Sequence, residues 1–308
     1  MITKTPSETC PGCDRVIPPA MPEGLCPACL AAVAVEDVDA PLPPHAFDST
    51  DNLQEMRFFG DFELLEEIGR GGTGIVFKAR QLGMNRIVAL KVLVGGVAAG
   101  REFVHRFHTE AATAARLEHP HVVSVYEFGT HEGAHFLTMR FMEGGTLLDQ
   151  IRREPLSSKD AAQLLIPIAR AVQYAHEHGV LHRDLKPSNI LMDAEGVPFV
   201  GDFGLARVFD DEDGLTVSDS VMGTVGYLPP EIARCGVGAA TTLSDIYGLG
   251  AILHEMLSAK PPFIGPGIAE ILRKVQETEP ALIVGEPDLR TICLKCLHKD
   301  PAKRYRTA

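Results

Sequence analysis

Residues able to carry out chemistry are concentrated between positions 180 and 204 of the 308-residue sequence. Asp184 lies just before Lys186 and Asn189, and Asp202 follows a short apolar run. The apolar residues come in brief runs broken by turn residues, which predicts short strands and loops. Such a segment can place carboxylate, amide and ammonium groups around one polar ligand. We therefore expect the other elements of the chain to position this segment.

A glycine-rich turn precedes this segment and lies between two predicted strands, at 62–68 and 75–79. Its glycines are Gly69, Gly71 and Gly74. Glycines let a backbone approach phosphates closely and offer them N–H donors. In a dinucleotide-binding turn a helix follows the glycines, whereas here a strand follows. The turn is interpreted as a hairpin folded over a ligand, with an ordinary glycine-containing hairpin as the alternative.

A lysine that needs a partner lies on the next predicted strand, at 86–93. Lys91 alternates there with apolar neighbours, and on an inward strand face it needs an anion because burial alone would depress its pKa. The apolar stripe at 101–117 predicts a helix that carries Glu110, a candidate partner for Lys91. Taken singly, either residue is more often a surface charge.

Three further motifs follow the glycine turn in the order of the protein-kinase signature set. They are V-A-L-K at 88–91, H-R-D-L-K-P-S-N at 182–189 and D-F-G at 202–204. Over about 62–305, the sequence resembles the bacterial type of eukaryotic-like (Hanks-type) serine/threonine protein kinases. The resemblance implies a bilobal α+β fold. A small antiparallel β-sheet lobe with one helix, at about 58–142, would precede a larger, mainly helical lobe at about 143–308.

The resemblance also implies an ATP-dependent transfer of phosphate to Ser or Thr hydroxyls of proteins. Such chemistry needs positioning and charge neutralisation more than covalent work by the protein. The residues given catalytic roles are Asp184, Lys186, Lys91 and Glu110. Mg²⁺, or Mn²⁺, would bind Asn189 and Asp202, because hard oxygen ligands suit that ion.

The nucleotide contacts implied by the resemblance come from the glycine turn and the strands around it. Met139 would be the gatekeeper, the backbone of residues 140–142 would hydrogen-bond the adenine edge, and Thr146 would lie near the ribose. The residues assigned to ATP are Ile68, Gly69, Gly71, Gly74, Val76, Ala89, Lys91, Met139, Met142 and Leu191.

Several supporting expectations come from the same resemblance. Glu231 should pair with Arg304, and Asp245 should hold the backbone of the catalytic loop. Ala114 stands where the family tends to have a larger hydrophobe, so we expect the Glu110 helix to be mobile. Autophosphorylation is expected at one or more hydroxyls before Glu231, with self-association allowing it in trans. The candidate hydroxyls are those of Thr216, Ser218 and Ser220.

The N-terminus carries two C-x-x-C pairs separated by 12 residues. Two such turns can form a tetrahedral S4 site, the preferred geometry of structural Zn²⁺; an iron S4 site, free thiols and a disulfide are the alternatives. The predicted zinc ligands are Cys10, Cys13, Cys26 and Cys29. We expect a zinc-ribbon-like segment at 1–32, an acidic proline-containing linker at 33–57, and the kinase domain at 58–308.

Composition excludes some classes of protein and leaves others open. The net charge of −12 argues against nucleic-acid binding, which needs clustered Lys and Arg. No apolar run approaches the roughly 18 residues of a membrane span, and no signal-peptide layout occurs, so a cytoplasmic location is expected. The family's last helix is usually still running at the end of this chain, so we expect a fragment whose full-length protein could carry a membrane anchor.

Two other functions compete with the active kinase. A pseudokinase would use the same fold as a scaffold, although Lys91, Asp184, Asn189 and Asp202 are all present. Alternatively, the cysteine-rich segment is a recognition module and the kinase a passenger. The expected partners are ATP and Ser/Thr-containing proteins, with no nucleic acid and no membrane contact within these residues.

Overall fold

The computed structural model describes residues 56–71, 74–93, 115–154, 156–203, 225–281 and 285–308. All of them belong to the compact unit Ala46–Ala308; the other unit is Met1–His45. Several predictions concern residues outside the described ranges. These predictions involve Cys10, Cys13, Cys26, Cys29, Glu110, Ala114, Thr216, Ser218 and Ser220.

A six-stranded antiparallel sheet forms the first lobe. Its strands are β1 (Phe58–Phe59), β2 (Phe62–Gly71), β3 (Gly74–Gln81), β4 (Arg86–Val92), β5 (Val125–His131) and β6 (Ala134–Arg140). They are arranged in the order β1-β2-β3-β4-β6-β5. The strand–glycine turn–strand pattern predicted from the sequence is thus confirmed on both sides of the turn.

The two faces of the sheet have different tasks because side chains alternate along each strand. Ile75, Phe77 and Leu90 point into one apolar core, where Leu90 and Ile75 are fully buried. Val76 and Ala89 belong to a second apolar cluster on the opposite face. The second face is the one that can receive a ligand.

The second lobe is mainly helical and contains a short two-stranded sheet. The helices are α1 (Leu147–Arg153), α2 (Ser158–Glu177), α3 (Pro230–Cys235), α4 (Thr242–Ser258), α5 (Ile268–Glu277) and α6 (Pro287–Cys296), and the strands are β7 (Ile190–Met192) and β8 (Pro198–Val200). Among the described helices none combines the length and apolarity that crossing a bilayer requires.

Hydroxyl side chains begin three of these helices by accepting backbone N–H groups of the first turn. Ser157 begins α2 and accepts from Asp160 N at 3.2 Å. Thr146 and Thr241 begin α1 and α4 with reciprocal capping boxes. The side chain of Thr146, which the family resemblance assigned to the ribose, is therefore engaged with Asp149 at the start of α1.

Helix α4 is the centre of the helical lobe. It is buried along nearly its whole length, and Tyr247, Ile252 and Leu253 have no exposed surface. Cys293 and Cys296 of α6 pack in the same core. Within the described ranges, no cluster of three or more metal-ligating side chains occurs.

Helix α4 needs a small residue where it packs against the loop at 182–189, called here the catalytic loop. A Cβ atom at Gly248 would lie 2.6 Å from Leu185 Cβ. We expect Gly248→Ala to lower the free energy of unfolding by about 1–3 kcal/mol, because the core must overpack or shift. Urea denaturation measures this, with Gly238→Ala as the control, since no atom lies within 4 Å of its added Cβ. Equal stability of the two variants would contradict the prediction.

Candidate active site

A buried carboxylate holds the loop that carries Asp184. Asp245, in the first turn of α4, is 2% exposed. Its oxygens accept the backbone N–H groups of His182 at 2.9 Å and Arg183 at 2.8 Å, and lie 2.7 Å from His176 Nε2. Arg183 adopts a φ of +68°, a strained conformation that the two bonds help to maintain. The expected role of Asp245 in fixing this backbone is confirmed.

The fixed loop brings a carboxylate, an ammonium group and an amide together. Lys186 Nζ donates to Asp184 Oδ2 at 2.7 Å. Asn189 Nδ2 donates to the Asp184 carbonyl at 2.7 Å and to Oδ2 at 3.2 Å. These bonds orient the Asp184 carboxylate, and they leave Asn189 Oδ1 as the amide atom able to ligate a hard cation.

The β7–β8 hairpin presents the second functional carboxylate. Gly201 N donates to Asn189 O at 2.9 Å, which places Asp202 beside the Asn189 loop. His182 is fully buried and spans both segments: Nε2 lies 2.9 Å from Gly201 O, and Nδ1 accepts Asp184 N at 3.3 Å. These contacts require the tautomer protonated at Nε2. His182 therefore links the backbones at the two aspartates.

Lys91 reaches the same point from β4. Its ammonium group, 8% exposed as a side chain, donates to Asp202 Oδ1 at 3.0 Å. Burial raises the pKa of Asp202, but the charge and hydrogen bond of Lys91, with a smaller contribution from Lys186, bring it below its ordinary value. The anion that Lys91 was expected to need is thus Asp202 in this structure; Glu110 lies outside the described residues.

This ion pair gives a prediction with a definite sign. In Lys91→Met we expect the pKa of Asp202 to rise, because burial continues to raise it while its main cationic partner is gone. In the wild type, the depressed pKa contributes stability above the ordinary Asp pKa and loses it as pH falls through the lower value. A ¹³C NMR titration of the Asp202 carboxyl measures the shift. An unchanged pKa, as expected for the distant control Lys295→Met, would contradict the pairing.

An apolar cleft borders the charged groups. The structure brings together five of the residues assigned to the nucleotide. The five are Val76, Ala89, Met139, Met142 and Leu191. Val123, Leu137 and Phe199 belong to the same cluster, although no sequence pattern indicated them. Met142 makes no backbone hydrogen bond within the described ranges, so its N–H and C=O remain for a ligand.

The glycine turn lies at one end of this cleft. Gly69 and Gly71 end β2, and Gly74 begins β3. A side chain at Gly74 would collide with the carbonyl oxygen of Val92, so close backbone packing requires glycine there. Ile68 is 43% exposed and is not a member of the apolar cluster.

A pocket beside Asp184 was not anticipated from the sequence. Its walls come from the catalytic loop, the segment before α3, and α4: Arg183, Asp184, Leu185, Tyr227, Leu228, Pro229, Ser244, Asp245 and Gly248. Tyr227 Oη donates to buried Glu255. Burial raises the pKa of the Glu255 carboxyl, although Tyr227 and Arg152 lower it in part. The pocket lies directly beside the Asp184 carboxylate.

The site therefore offers groups suited to a polyanionic ligand with a metal ion. Asp202 and Asn189 supply oxygen ligands, and Mg²⁺ commonly uses one or two protein ligands together with phosphates and water. Lys91 and Lys186 supply positive charge on either side. The apolar cleft can hold a flat, uncharged group beside these charged side chains.

Comparison with known proteins agrees with this geometry. Residues 62–308 match the family model described as a protein kinase domain. The chain is 38% identical over 258 residues to serine/threonine-protein kinase PrkC of Bacillus subtilis, covering 82% of this chain and 39% of that protein. It is 34% identical over 279 residues to serine/threonine-protein kinase PknB of Mycobacterium leprae, covering 86% and 42%. The chain spans about two fifths of the length of the curated relatives it matches.

Proposed function

Because the chain belongs to the protein kinase domain family, we propose that it transfers the γ-phosphate of ATP to serine or threonine hydroxyls of proteins. The observation that carries this proposal is the convergence at one end of an apolar cleft of two aspartates, each paired with its own lysine. Asp184 lies 2.7 Å from Lys186, and Asp202 lies 3.0 Å from Lys91. Similarity to proteins named serine/threonine-protein kinases supports the type of acceptor.

The proposed reaction assigns separate work to the two aspartates. Asp184 orients the acceptor hydroxyl and accepts its proton, since its carboxylate is fixed by Lys186 and Asn189. Lys186 neutralises charge that develops on the γ-phosphate. Asn189 Oδ1 and Asp202 would hold Mg²⁺, which would supply neutralisation of the phosphate charge. Lys91 would then contact the α- and β-phosphates, with Glu110 proposed as its orienting partner.

The adenine is proposed to lie in the apolar cleft. Val76, Ala89 and Leu191 would contact its faces, and the free backbone groups of Met142 would bind its edge. Ile68 and the glycines at 69, 71 and 74 would cover the sugar and phosphates. Backbone N–H groups of glycine turns suit this task because no Cβ keeps the phosphates away.

The test is phosphate transfer from γ-labelled ATP with Mg²⁺ to matched peptides that differ only in carrying Ser, Thr or Tyr. We expect label on the Ser and Thr peptides and at least tenfold less on the Tyr peptide. Transfer to none of the three, or equal transfer to all, would contradict the proposed acceptor class. Chelation of Mg²⁺ should abolish transfer, because the phosphate charge is then left without its metal.

Autophosphorylation before Glu231 belongs to the same proposal. Thr216, Ser218 and Ser220 are the candidate acceptors, and Arg183 is the family's expected partner for a phosphate placed there. A second copy of the chain would supply the reaction in trans. Mass spectrometry of protein incubated with MgATP should find phosphate in this segment, at a rate that rises with protein concentration.

A structural Zn²⁺ on Cys10, Cys13, Cys26 and Cys29 is a separate proposal, supported by the spacing of the two pairs. So few residues cannot bury a real core, so the metal would supply the folding energy of residues 1–32. Elemental analysis should find one zinc per chain, and Cys10→Ser/Cys13→Ser should remove it. A cytoplasmic location is proposed because the sequence shows neither an apolar run of membrane length nor a signal-peptide layout. An acidic, proline-containing linker at 33–57 and a kinase domain beginning near 58 are also proposed from the sequence.

A further inference from the structure

Two aromatic rings near the connection between the lobes each lie against a cation. The connector, residues 140–142, joins β6 to the segment before α1. The Lys78 ammonium group lies 4.8 Å from the centre of the Phe141 ring. The guanidinium group of Arg140 lies 4.9 Å from the centre of the Phe199 ring. Both distances are within the range of a cation–π interaction.

The first contact ties the connector to the sheet lobe. Lys78 on β3 pairs with Ala89 on β4, which in turn pairs with Met139 on β6. Residues directly opposite each other on neighbouring strands share a face, so Lys78 lies on the face of the apolar cleft. Phe141 packs partly buried against that cleft cluster, and the lysine therefore meets it from the sheet side.

The second contact ties the connector to the helical lobe. Phe199 lies in β8, is 7% exposed and belongs to the cleft cluster. Its strand leads within three residues to Asp202. Backbone bonds from Val200 N to His121 O at 2.8 Å and from Val123 N to Val200 O at 2.9 Å hold the end of β8 beside the approach to β5. Arg140 therefore contacts a strand whose position is already well defined.

We propose that Lys78 and Arg140 are positioning residues that fix the connector through contacts with opposite lobes, Lys78 from the sheet lobe and Arg140 to Phe199 of the helical lobe, so that the backbone of Met142 meets the adenine edge in register. This inference rests on the proposed function, because it assumes that ATP occupies the cleft. Neither cation needs to touch the nucleotide. Lys78 holds the ring of Phe141 next to Met142, and Arg140 sets the position of the connector relative to β8.

The test measures the Kd of the wild type, Lys78→Met, Phe141→Leu and Arg140→Met for ATP and GTP, together with KM and kcat for peptide phosphorylation. We expect each variant to raise the Kd and KM for ATP about three- to tenfold, the range that a cation–π contact supports, with kcat within about twofold. The preference for ATP over GTP should narrow, because a displaced connector reads the base edge less well.

Three comparisons separate positioning from simple destabilisation. Lys78→Arg keeps a cation over the ring and should restore wild-type Kd to within about twofold. Lys78→Met/Phe141→Leu should be no worse than the poorer single variant, because both remove one contact. Lys295→Met is the matched control. It removes a cation–π contact of 4.1 Å between Lys295 on α6 and the ring of Tyr305, and it should leave nucleotide affinity unchanged.

The outcomes distinguish this inference from the proposed function. Unchanged ATP affinity in Lys78→Met and Arg140→Met, additive losses in the double variant, or an unchanged base preference would overturn the positioning role while leaving phosphate transfer intact. Wild-type protein that binds ATP but transfers no phosphate would overturn the kinase proposal, and the Kd values would still decide the role of the connector. Wild-type protein that binds no ATP would overturn both.

Discussion

Asp202→Asn is expected to lower Mg²⁺-dependent phosphate transfer by about 10²–10⁴-fold, because a metal ion stabilises developing phosphate charge by several kcal/mol. The substitution removes a charged ligand and also breaks the 3.0 Å pair with Lys91. The size of Asn is almost the same, so packing around β8 should persist. The measurement is kcat/KM for a peptide substrate across a Mg²⁺ titration, in which the variant should need more metal.

The control for this experiment is Asp288→Asn. Asp288 is an exposed carboxylate in the first turn of α6 and has no proposed part in the cleft. Asp288→Asn should therefore leave phosphate transfer unchanged to within about twofold. If Asp202→Asn retained more than a tenth of wild-type activity at every Mg²⁺ concentration, the assignment of Asp202 as a metal ligand would be wrong.

Arg304→Met should lower the free energy of unfolding by about 3–5 kcal/mol, the cost of removing one partner of a buried ion pair. The side chain of Arg304 is fully buried. It donates to both carboxylate oxygens of Glu231 at 2.8 Å, to Leu243 O at 2.8 Å and to His298 O at 2.8 Å. Methionine fills part of the space but leaves the Glu231 carboxylate without its cationic partner, with the Ser244 hydroxyl still donating to it at 2.8 Å, and leaves the carbonyls of Leu243 and His298 without the Arg304 donor. Urea denaturation with an unchanged m-value measures the loss.

Two comparisons sharpen this prediction. Glu231→Gln/Arg304→Met should be more stable than Arg304→Met, because it removes the unpaired charge. The exposed pair Arg273–Glu277, at 3.4 Å, is the matched control, and Arg273→Met should cost no more than about 1 kcal/mol. Equal costs at the buried and exposed arginines would contradict the account.

Acid should weaken the same pair in the wild type. Burial raises the pKa of Glu231, but the hydrogen bonds and charge of Arg304 lower it overall. A depressed folded-state pKa contributes stability above the ordinary Glu pKa, and this contribution is lost as pH falls through the lower value. The stability difference between the wild type and Arg304→Met should therefore shrink in strongly acidic solution.

Much of the site was accessible from the sequence because its groups lie in short, ordered motifs. Lys186 and Asn189 both donate to Asp184 within a segment of six residues, so their proximity depends little on the tertiary fold. The glycine turn was predictable for the same reason, since its three glycines are close in sequence and a strand beginning Gly-Ile-Val-Phe starts at the last of them. The distant pair Glu231–Arg304 came from the family resemblance and is confirmed at 2.8 Å.

The parts that sequence reasoning missed depend on packing between distant segments. No local pattern indicates that Phe199 and Val123 join the cleft cluster, or that Tyr227 donates to Glu255 across 28 positions. The contact from Lys91 to Asp202 spans 111 positions, whereas the partner expected from the sequence was Glu110. Only the assembled lobes determine which carboxylate lies nearest to the ammonium group.

The central claim is that Asp184 works on the acceptor of a phosphate supplied by ATP. The most direct test compares the wild type with Asp184→Asn in transfer of label from γ-labelled ATP with Mg²⁺ to a serine peptide, with the Kd for ATP measured in both. We predict that the variant binds ATP within about threefold of the wild type but transfers phosphate about 10²–10⁴-fold more slowly, the usual worth of a positioned general base. Equal incorporation of label by the two proteins would contradict the account.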